Sequence, residues 1–188
     1  MRRVPAIPTI VVLAAVATMI ALGFWQLDRR DEKEALIATA ERNLAMSSEV
    51  RYPRGEQDME AVLYRRTSLS CTGVADVTTV AARDARGRSG LAQRATCVLA
   101  GGETATVDLG FTRDPSLTAW DGGTVRGTIA PGGRVVAAEP VAGLDPLATP
   151  DPRDLPNNHL AYAGQWFFFA LTALGIYALV LRKRWRET

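Results

Sequence analysis

The sequence predicts a membrane protein in which two transmembrane helices flank an antiparallel, mostly-β extramembrane domain, a small barrel or sandwich. Residues Ile7 to Leu27 carry no charge, and about 20 apolar residues suffice to cross the hydrocarbon core of a bilayer. A second apolar run extends from Tyr162 to Leu181, with Gln165 as its only strongly polar member. The chain between them is polar, charged and rich in glycine, so we expect it to fold in water around its own core.

The first predicted domain, residues 1–46, is the N-terminal transmembrane helix with a helical extension outside the membrane. From Asp28 to Met46, charged residues occupy one face and apolar residues another, as in an amphipathic helix. The first span is alternatively a cleaved signal peptide, since Ala15-Val16-Ala17 fits a small-residue cleavage pattern. An uncleaved anchor is the favoured interpretation, because cleavage there would leave Thr18–Leu27 as an apolar stub.

The second predicted domain, residues 47–156, holds the β-strands and a proline-rich linker. Arg51–Asp58 is expected to be a loop, and strand-like runs follow over residues 61–71, 74–82, 91–100, 103–112, 124–130 and 134–138. Gly101-Gly102 and Pro131-Gly132-Gly133 are typical of tight turns in β-hairpins. Gly143–Pro156 contains four prolines and is predicted to be a stiff linker that returns the chain to the membrane.

Cys71 and Cys97 are the only cysteines, and they lie on neighbouring strand candidates. An even pair in an oxidising compartment is typical of a disulfide, which would stabilise the domain by about 3 kcal/mol. Two free buried thiols are the alternative. No metal site is expected at these cysteines, because the chain has one histidine and no Cys-x-x-Cys spacing.

The third predicted domain, residues 157–188, is the C-terminal transmembrane helix with a basic tail. Basic residues lie at both ends of the chain: Arg2, Arg3, Arg182, Lys183, Arg184 and Arg186. Because short cytoplasmic flanks attract Lys and Arg, both termini are predicted to be cytoplasmic and the central domain to lie on the outer face. The net charge of +2 gives no reason to expect a nucleic-acid partner.

The sole histidine, His159, lies at the mouth of the second apolar segment, where Asn157 or Asn158 is the expected N-cap of a helix. The positive end of the helix dipole disfavours an imidazolium there, and the neutral imidazole is the form that binds metals. Successive residues of an α-helix are rotated by about 100° around its axis. Four side chains of this helix therefore lie on one face, within an arc of about 80°: His159, Tyr162, Trp166 and Phe169. Gln165 lies just beside this face.

A mirrored cluster closes the first span, and its candidate site residues are Trp25, Gln26 and Arg29. An aromatic face, a neutral histidine and cations from Arg29 or Arg30 would suit a heme with two propionates, since one axial histidine is a normal ligand of heme iron. The candidate metal ligand is therefore His159. The remaining candidate cofactor contacts are Tyr162, Gln165, Trp166, Trp25, Gln26 and Arg29.

Each of these residues also has a purely structural interpretation. Trp and Tyr are enriched at membrane interfaces without any ligand, and Gln26 and Gln165 can simply bridge the two helices. The charges around Arg29 can be ordinary pairing along a helix face. Catalytic motifs for hydrolysis, phosphate binding or dinucleotide binding are absent from the sequence, so an enzyme is not expected.

Both ends of the chain resemble the Surfeit-locus (Surf/Shy) family of cytochrome c oxidase assembly factors. The resemblance rests on Gly23, Trp25, Gln26, Arg29 and Lys33 in the first cluster, and on Asn157–Ala163 and Gln165–Phe167 in the second. Tyr64-Arg65-Arg66 and Gly73 fit the family's first outer strand. The family usually carries an Asn-Arg-Gly-Trp motif, and here Asp108-Leu109-Gly110-Phe111 stands near that place, without the Arg or the Trp.

The resemblance implies a factor of the bacterial inner membrane, with a periplasmic central domain, that helps to insert or stabilise heme a in subunit one of a heme-copper oxidase. It also implies that His159 stands at the position connected with heme a binding in bacterial relatives. The expected partners are oxidase subunit one, the machinery that delivers heme a, and the lipid bilayer. The alternative function is a structural accessory protein that stays with a respiratory complex without binding heme.

Overall fold

A computed structural model describes residues 4–141 and 143–186 of the chain. The molecule divides into two compact units, one formed by Met1–Leu36 with Pro156–Thr188 and the other by Ile37–Leu155. The first unit is a pair of helices, and the second is a β domain. Arg2 and Arg3, which contribute to the predicted membrane orientation, lie outside the described residues.

Two long helices carry the apolar segments. Helix α1 spans Ala6–Ala45, so the predicted span and its predicted extension are one element that continues through Ala15-Val16-Ala17. The C-terminal helix, α3, spans His159–Arg184. Both are long and apolar enough to cross a membrane by length and composition. Only 11% of the most apolar window of α1 and 6% of that in α3 is buried, whereas a core helix of a soluble protein would be mostly buried.

The two helices contact each other in antiparallel register. At one end the Thr9 and Tyr177 hydroxyls are 2.5 Å apart, and at the other Gln26 meets His159. About 17 residues of helix separate these contacts, a distance of roughly 25 Å. Between them Gly23 lies directly against the ring of Phe167, where a Cβ would collide with that ring.

The β domain contains six strands and a short helix. Its elements are β1 Glu49–Arg51, α2 Glu56–Ala61, β2 Arg66–Arg83, β3 Ser89–Leu99, β4 Thr104–Thr112, β5 Gly123–Ile129 and β6 Val135–Ala137. The strands form one sheet in the order β1-β2-β3-β4-β6-β5, and β5 also pairs with β2. The core is formed by inward-facing side chains of these strands, among them Val107, Leu109, Ile129 and Val135.

The predicted antiparallel barrel or sandwich is only partly confirmed, because the sheet is mixed and is not a closed barrel. Strands β1 and β2 are parallel, as are β4 and β6. Strand β5 pairs with Arg66–Cys71 at one end of β2, whereas within the described residues Gly73–Arg83 pairs with β3 alone. Alternating side chains reveal that a segment is extended, but they do not reveal the direction of its partner.

Individual strand predictions also needed correction. The runs at 61–71 and 74–82 are largely one strand, β2, whose pairing with β3 shifts register near Gly73 and Ala75. The predicted loop Arg51–Asp58 instead contains the end of β1 and the start of α2. Both predicted hairpins are confirmed: Gly102 has φ +82°, and Gly132 and Gly133 have φ values of +81° and +74°, which glycine adopts without steric cost.

The predicted linker Gly143–Pro156 is built into the β domain rather than suspended from it. Asp145 bridges to Phe111, and Leu147 bridges to Asp84. Leu144 packs against the core, and Pro152 is buried in a short 3-10 turn. Prolines restrict the backbone angles of this segment, but they do not reveal whether the segment has a surface to pack on.

The predicted disulfide between Cys71 and Cys97 is present, with Cα atoms 5.3 Å apart. Both cysteines are buried in the core, at 5% and 0% exposure. The bond joins β2 to β3 beside the register shift at Gly73. It therefore secures the pairing where the backbone ladder is irregular.

Candidate functional site

The candidate site lies at the N-terminal end of α3. Asn158 occupies the predicted N-cap position, but its side chain makes no capping hydrogen bond. Because Asn158 is the N-cap, His159 is the first residue of the helix, in the first turn as expected, and it is partly buried. Two residues earlier, the Asn157 Oδ1 atom is buried and has no hydrogen-bond partner among the described residues. The helix start thus offers an acceptor that no neighbouring side chain uses.

The contact that defines the site joins the two helices. His159 Nδ1 lies 2.7 Å from Gln26 Oε1. An amide oxygen only accepts hydrogen bonds, so in this arrangement Nδ1 carries the proton and donates it. The other ring nitrogen, Nε2, makes no hydrogen bond to any residue that the structure describes. The imidazole therefore presents an unshared lone pair, which is the group that a metal ion binds.

The predicted aromatic face is divided between partly buried and exposed positions. Trp166 is partly buried and meets Phe169 edge to face, with ring centroids 6.2 Å apart. Tyr162 is 51% exposed and Phe169 is 49% exposed, and Gln165 is exposed beside them. Gln165 contacts no residue of α1 through a hydrogen bond in the described part of the chain, so the predicted bridging is made by Gln26 instead.

The candidate site residues on α1 differ in the contacts that they make. Gln26 contacts the histidine, whereas Trp25 is 52% exposed. Arg29 forms an ion pair with Glu32, and Arg30 forms another with Glu34. Exposed ion pairs of this kind are worth about 1 kcal/mol or less. Exchange of Arg29 or Arg30 from its glutamate to an anionic ligand would therefore cost little.

Sequence reasoning missed several residues that hold the two helices together. Phe24 and Phe167 meet edge to face with centroids 5.5 Å apart. Thr9 and Tyr177 form the hydrogen bond at the far end of the pair. Two polar side chains inside apolar spans were the available signal, because such groups usually find a partner on another helix.

A second polar cluster lies in the β domain, at the place of the unusual Asp108-Leu109-Gly110-Phe111 segment. Asp108 is 4% exposed and accepts hydrogen bonds from Arg94 Nε at 2.6 Å and Arg134 Nε at 3.0 Å. The hydrogen bond to Asp108 is the main reason that the pKa of Arg94 is raised. The aspartate thus joins β3, β4 and the turn before β6, which is a structural role.

Among the described residues, no group of three or more His, Cys, Asp or Glu side chains could hold a bare metal ion. A single histidine is instead suited to a metal whose other ligands come with it, as in a porphyrin. A family comparison matches residues 13–171 of the chain to the SURF1 family. A comparison with curated proteins finds no match. The matched range includes Gln26, His159 and the whole β domain.

Proposed function

The chain belongs to the SURF1 family, and we propose that it holds heme a through His159 for insertion into subunit one of a heme-copper oxidase. Membership of this Surfeit-locus family of assembly factors itself implies a role in cytochrome c oxidase assembly. The proposal adds the ligand, the residue that holds it, and the partner subunit. In this function the chain carries or shelters heme a and catalyses no reaction.

The observation that carries the proposal is the hydrogen bond between His159 Nδ1 and Gln26 Oε1. It leaves Nε2 with an available lone pair on the only histidine of the chain. Heme a, when bound, supplies an iron that accepts such a lone pair. Metal-binding histidines commonly donate their second ring N–H to a neighbouring oxygen, and this is the arrangement found here.

The surrounding side chains fit a flat, amphipathic ligand. Tyr162, Gln165 and Trp166 on α3 and Trp25 on α1 offer aromatic and amide surface that is wholly or partly exposed. Arg29 is the proposed propionate partner, because its present glutamate pair is exposed and weak. A charge-assisted bond from Arg29 to a carboxylate would be stronger than a neutral one.

The proposed location is the bacterial inner membrane, with α1 and α3 as spans. The polar contacts at the two ends of the helix pair are roughly 25 Å apart along the helix axis, close to the thickness of a hydrocarbon core. Arg182, Lys183 and Arg184 lie in the last turn of α3, and such basic residues favour a cytoplasmic location for that end. Reporter fusions after Thr188 and within β5 should then be active on opposite sides of the membrane, and a periplasmic C-terminus would contradict this orientation.

The test of heme binding is to purify the full chain from a host that makes heme a and to record its absorption spectrum. The wild type should carry heme, and His159→Ala should lose most of it or shift the Soret band. Tyr177→Phe is a matched control, because it removes a hydrogen bond between the same helices at their other end. It should retain the wild-type spectrum.

Two outcomes would overturn the proposal. If His159→Ala holds heme with an unchanged spectrum, His159 is not the ligand. If the wild type carries no heme but copurifies with the mature oxidase in fixed ratio, the structural accessory function is the better one. That alternative relies on the exposed apolar faces of α1 and α3, which would then pack against subunits of the complex.

A further inference from the structure

We propose that Gln26 is a positioning residue, which holds the proton of neutral His159 on Nδ1 and so selects Nε2 as the binding atom. This inference deepens the proposed function and rests on it only for the last step, the binding of heme. The tautomer itself is a property of the protein without ligand. It can therefore be tested separately.

The chemistry of the pair requires this choice. A neutral imidazole has one N–H and one bare nitrogen, and the partner of one nitrogen decides which is which. Free imidazole of histidine favours the proton on Nε2, the opposite of the arrangement found here. The Gln26 oxygen has lone pairs and no proton to give, so contact at 2.7 Å stabilises the tautomer that carries the proton on Nδ1.

The position of Gln26 is set by helix packing. Gly23 lies one turn before Gln26, so both residues are on the same side of α1. Gly23 packs against the ring of Phe167, and Phe24 meets the same ring edge to face. These contacts determine the depth of α1 against α3 within one turn of the hydrogen bond. Gln26 and His159 are thus brought together by the packing of two helices rather than by a loop.

The position of the proton on the His159 ring decides which ring nitrogen can bind a metal. With Nδ1 occupied as a donor, only Nε2 can bind iron, and it projects away from the Gln26 contact on the opposite edge of the imidazole ring. Loss of an oxygen partner of this kind typically lowers metal affinity by about 10-fold to 100-fold. A stronger acceptor would push more electron density onto the imidazole and lower the reduction potential of the bound heme.

The first experiment uses the full chain in detergent, without heme, labelled with ¹⁵N-histidine. Because the chain has one histidine, its two ring-nitrogen signals need no residue assignment, and their couplings to the Hδ2 and Hε1 protons distinguish Nδ1 from Nε2. The wild type should show a protonated Nδ1 and a bare Nε2. Gln26→Leu should shift the population towards the Nε2-protonated form, and Gln26→Glu should retain the wild-type pattern because a carboxylate also accepts.

Tyr177→Phe again serves as the control, because it weakens the helix pair without touching the histidine. Its two nitrogen signals should match those of the wild type. Circular dichroism checks that each variant remains folded. If wild-type Nδ1 is bare, or if Gln26→Leu leaves the tautomer unchanged in a folded protein, Gln26 does not position the ring.

The second experiment uses chain loaded with heme. Gln26→Leu should lower heme affinity about 10-fold to 100-fold, and Gln26→Glu should bind with a lower reduction potential than the wild type. If the tautomer behaves as expected and the wild type nevertheless binds no heme, the proposed function fails while the positioning role stands. If heme binds through His159 and neither Gln26 variant changes affinity or potential, the positioning role in heme binding is wrong.

Discussion

The β domain and the helix pair differ in which side chains they bury and which they expose. In the β domain, buried polar side chains are paired: Asp108 bonds two arginines, and Gln93 bonds the Ser116 carbonyl and the Thr118 N–H. In the helix pair, large apolar side chains such as Ile7, Phe168 and Leu179 are exposed. One unit hides its apolar surface from water, and the other presents it outward, as a lipid-facing surface would.

The two units also differ in what makes their structure specific. The β domain is held by a core, a disulfide and a buried ionic cluster. The described contacts of the helix pair include one glycine-aromatic contact, one pair of aromatic rings and a hydrogen bond near each end. Because lipid is as apolar as the side chains, close packing and a few polar bonds must supply helix association. The candidate heme ligand belongs to one of these few bonds.

The largest effect is expected from removal of the disulfide. A double change, Cys71→Ala with Cys97→Ala, releases a loop whose ends are 26 residues apart and should lower the free energy of unfolding of the β domain by about 3 kcal/mol. Chemical denaturation of the full chain in detergent measures the loss. Reducing agent should destabilise the wild type to a similar degree and leave the double variant unaffected, and labelling of free thiols before reduction would contradict the bond.

An intermediate effect is expected where the helices touch. Gly23→Ala places a methyl group against Phe167 and should weaken the helix pair by about 1 to 3 kcal/mol. Gly164→Ala is the matched control on α3, because a Cβ there meets no atom within 4 Å and alanine favours helix by up to about 1 kcal/mol. Cysteines introduced at Thr9 and Tyr177 report association by cross-linking, and equal yields in both variants would rule out the Gly23 contact.

The smallest effect is expected from acid. Asp84 lies in the β2–β3 turn, and burial acts to raise its pKa. Backbone bonds from Arg88 and Arg86 and the Arg88 side chain outweigh burial and hold the pKa below its ordinary 3.8. Its stabilising contribution is therefore complete above that value and disappears as the pH falls through the lower pKa of the folded state. Asp84→Asn should reduce this acid sensitivity in thermal melts, whereas the exposed Asp121→Asn should not, and identical acid profiles would contradict the role of Asp84.

Much of the helix pair could be predicted from particular residues. An uncharged run from Ile7 to Leu27 has few stable alternatives to a helix in lipid, because every backbone polar group must be satisfied within the segment. Because the chain has one histidine and two cysteines, only a few metal-binding and disulfide arrangements had to be considered. Strand pairing was harder, because Arg66–Arg83 shows two extended runs but not that they join, nor that β1 and β6 lie parallel to their neighbours.

The sequence by itself determined the two apolar helices, the hairpin turns at Gly102 and Gly132, and the presence of one imidazole at a helix start. These features depend on local backbone preferences and on hydrophobic length, which neighbouring residues alone can set. Only the tertiary structure decided that Gln26, 133 residues away, meets His159. That contact depends on how closely α1 and α3 pack. Gly23 and Phe167 set this distance because the ring of Phe167 lies where a Cβ of residue 23 would be, and the periodicity of the sequence does not reveal such a contact.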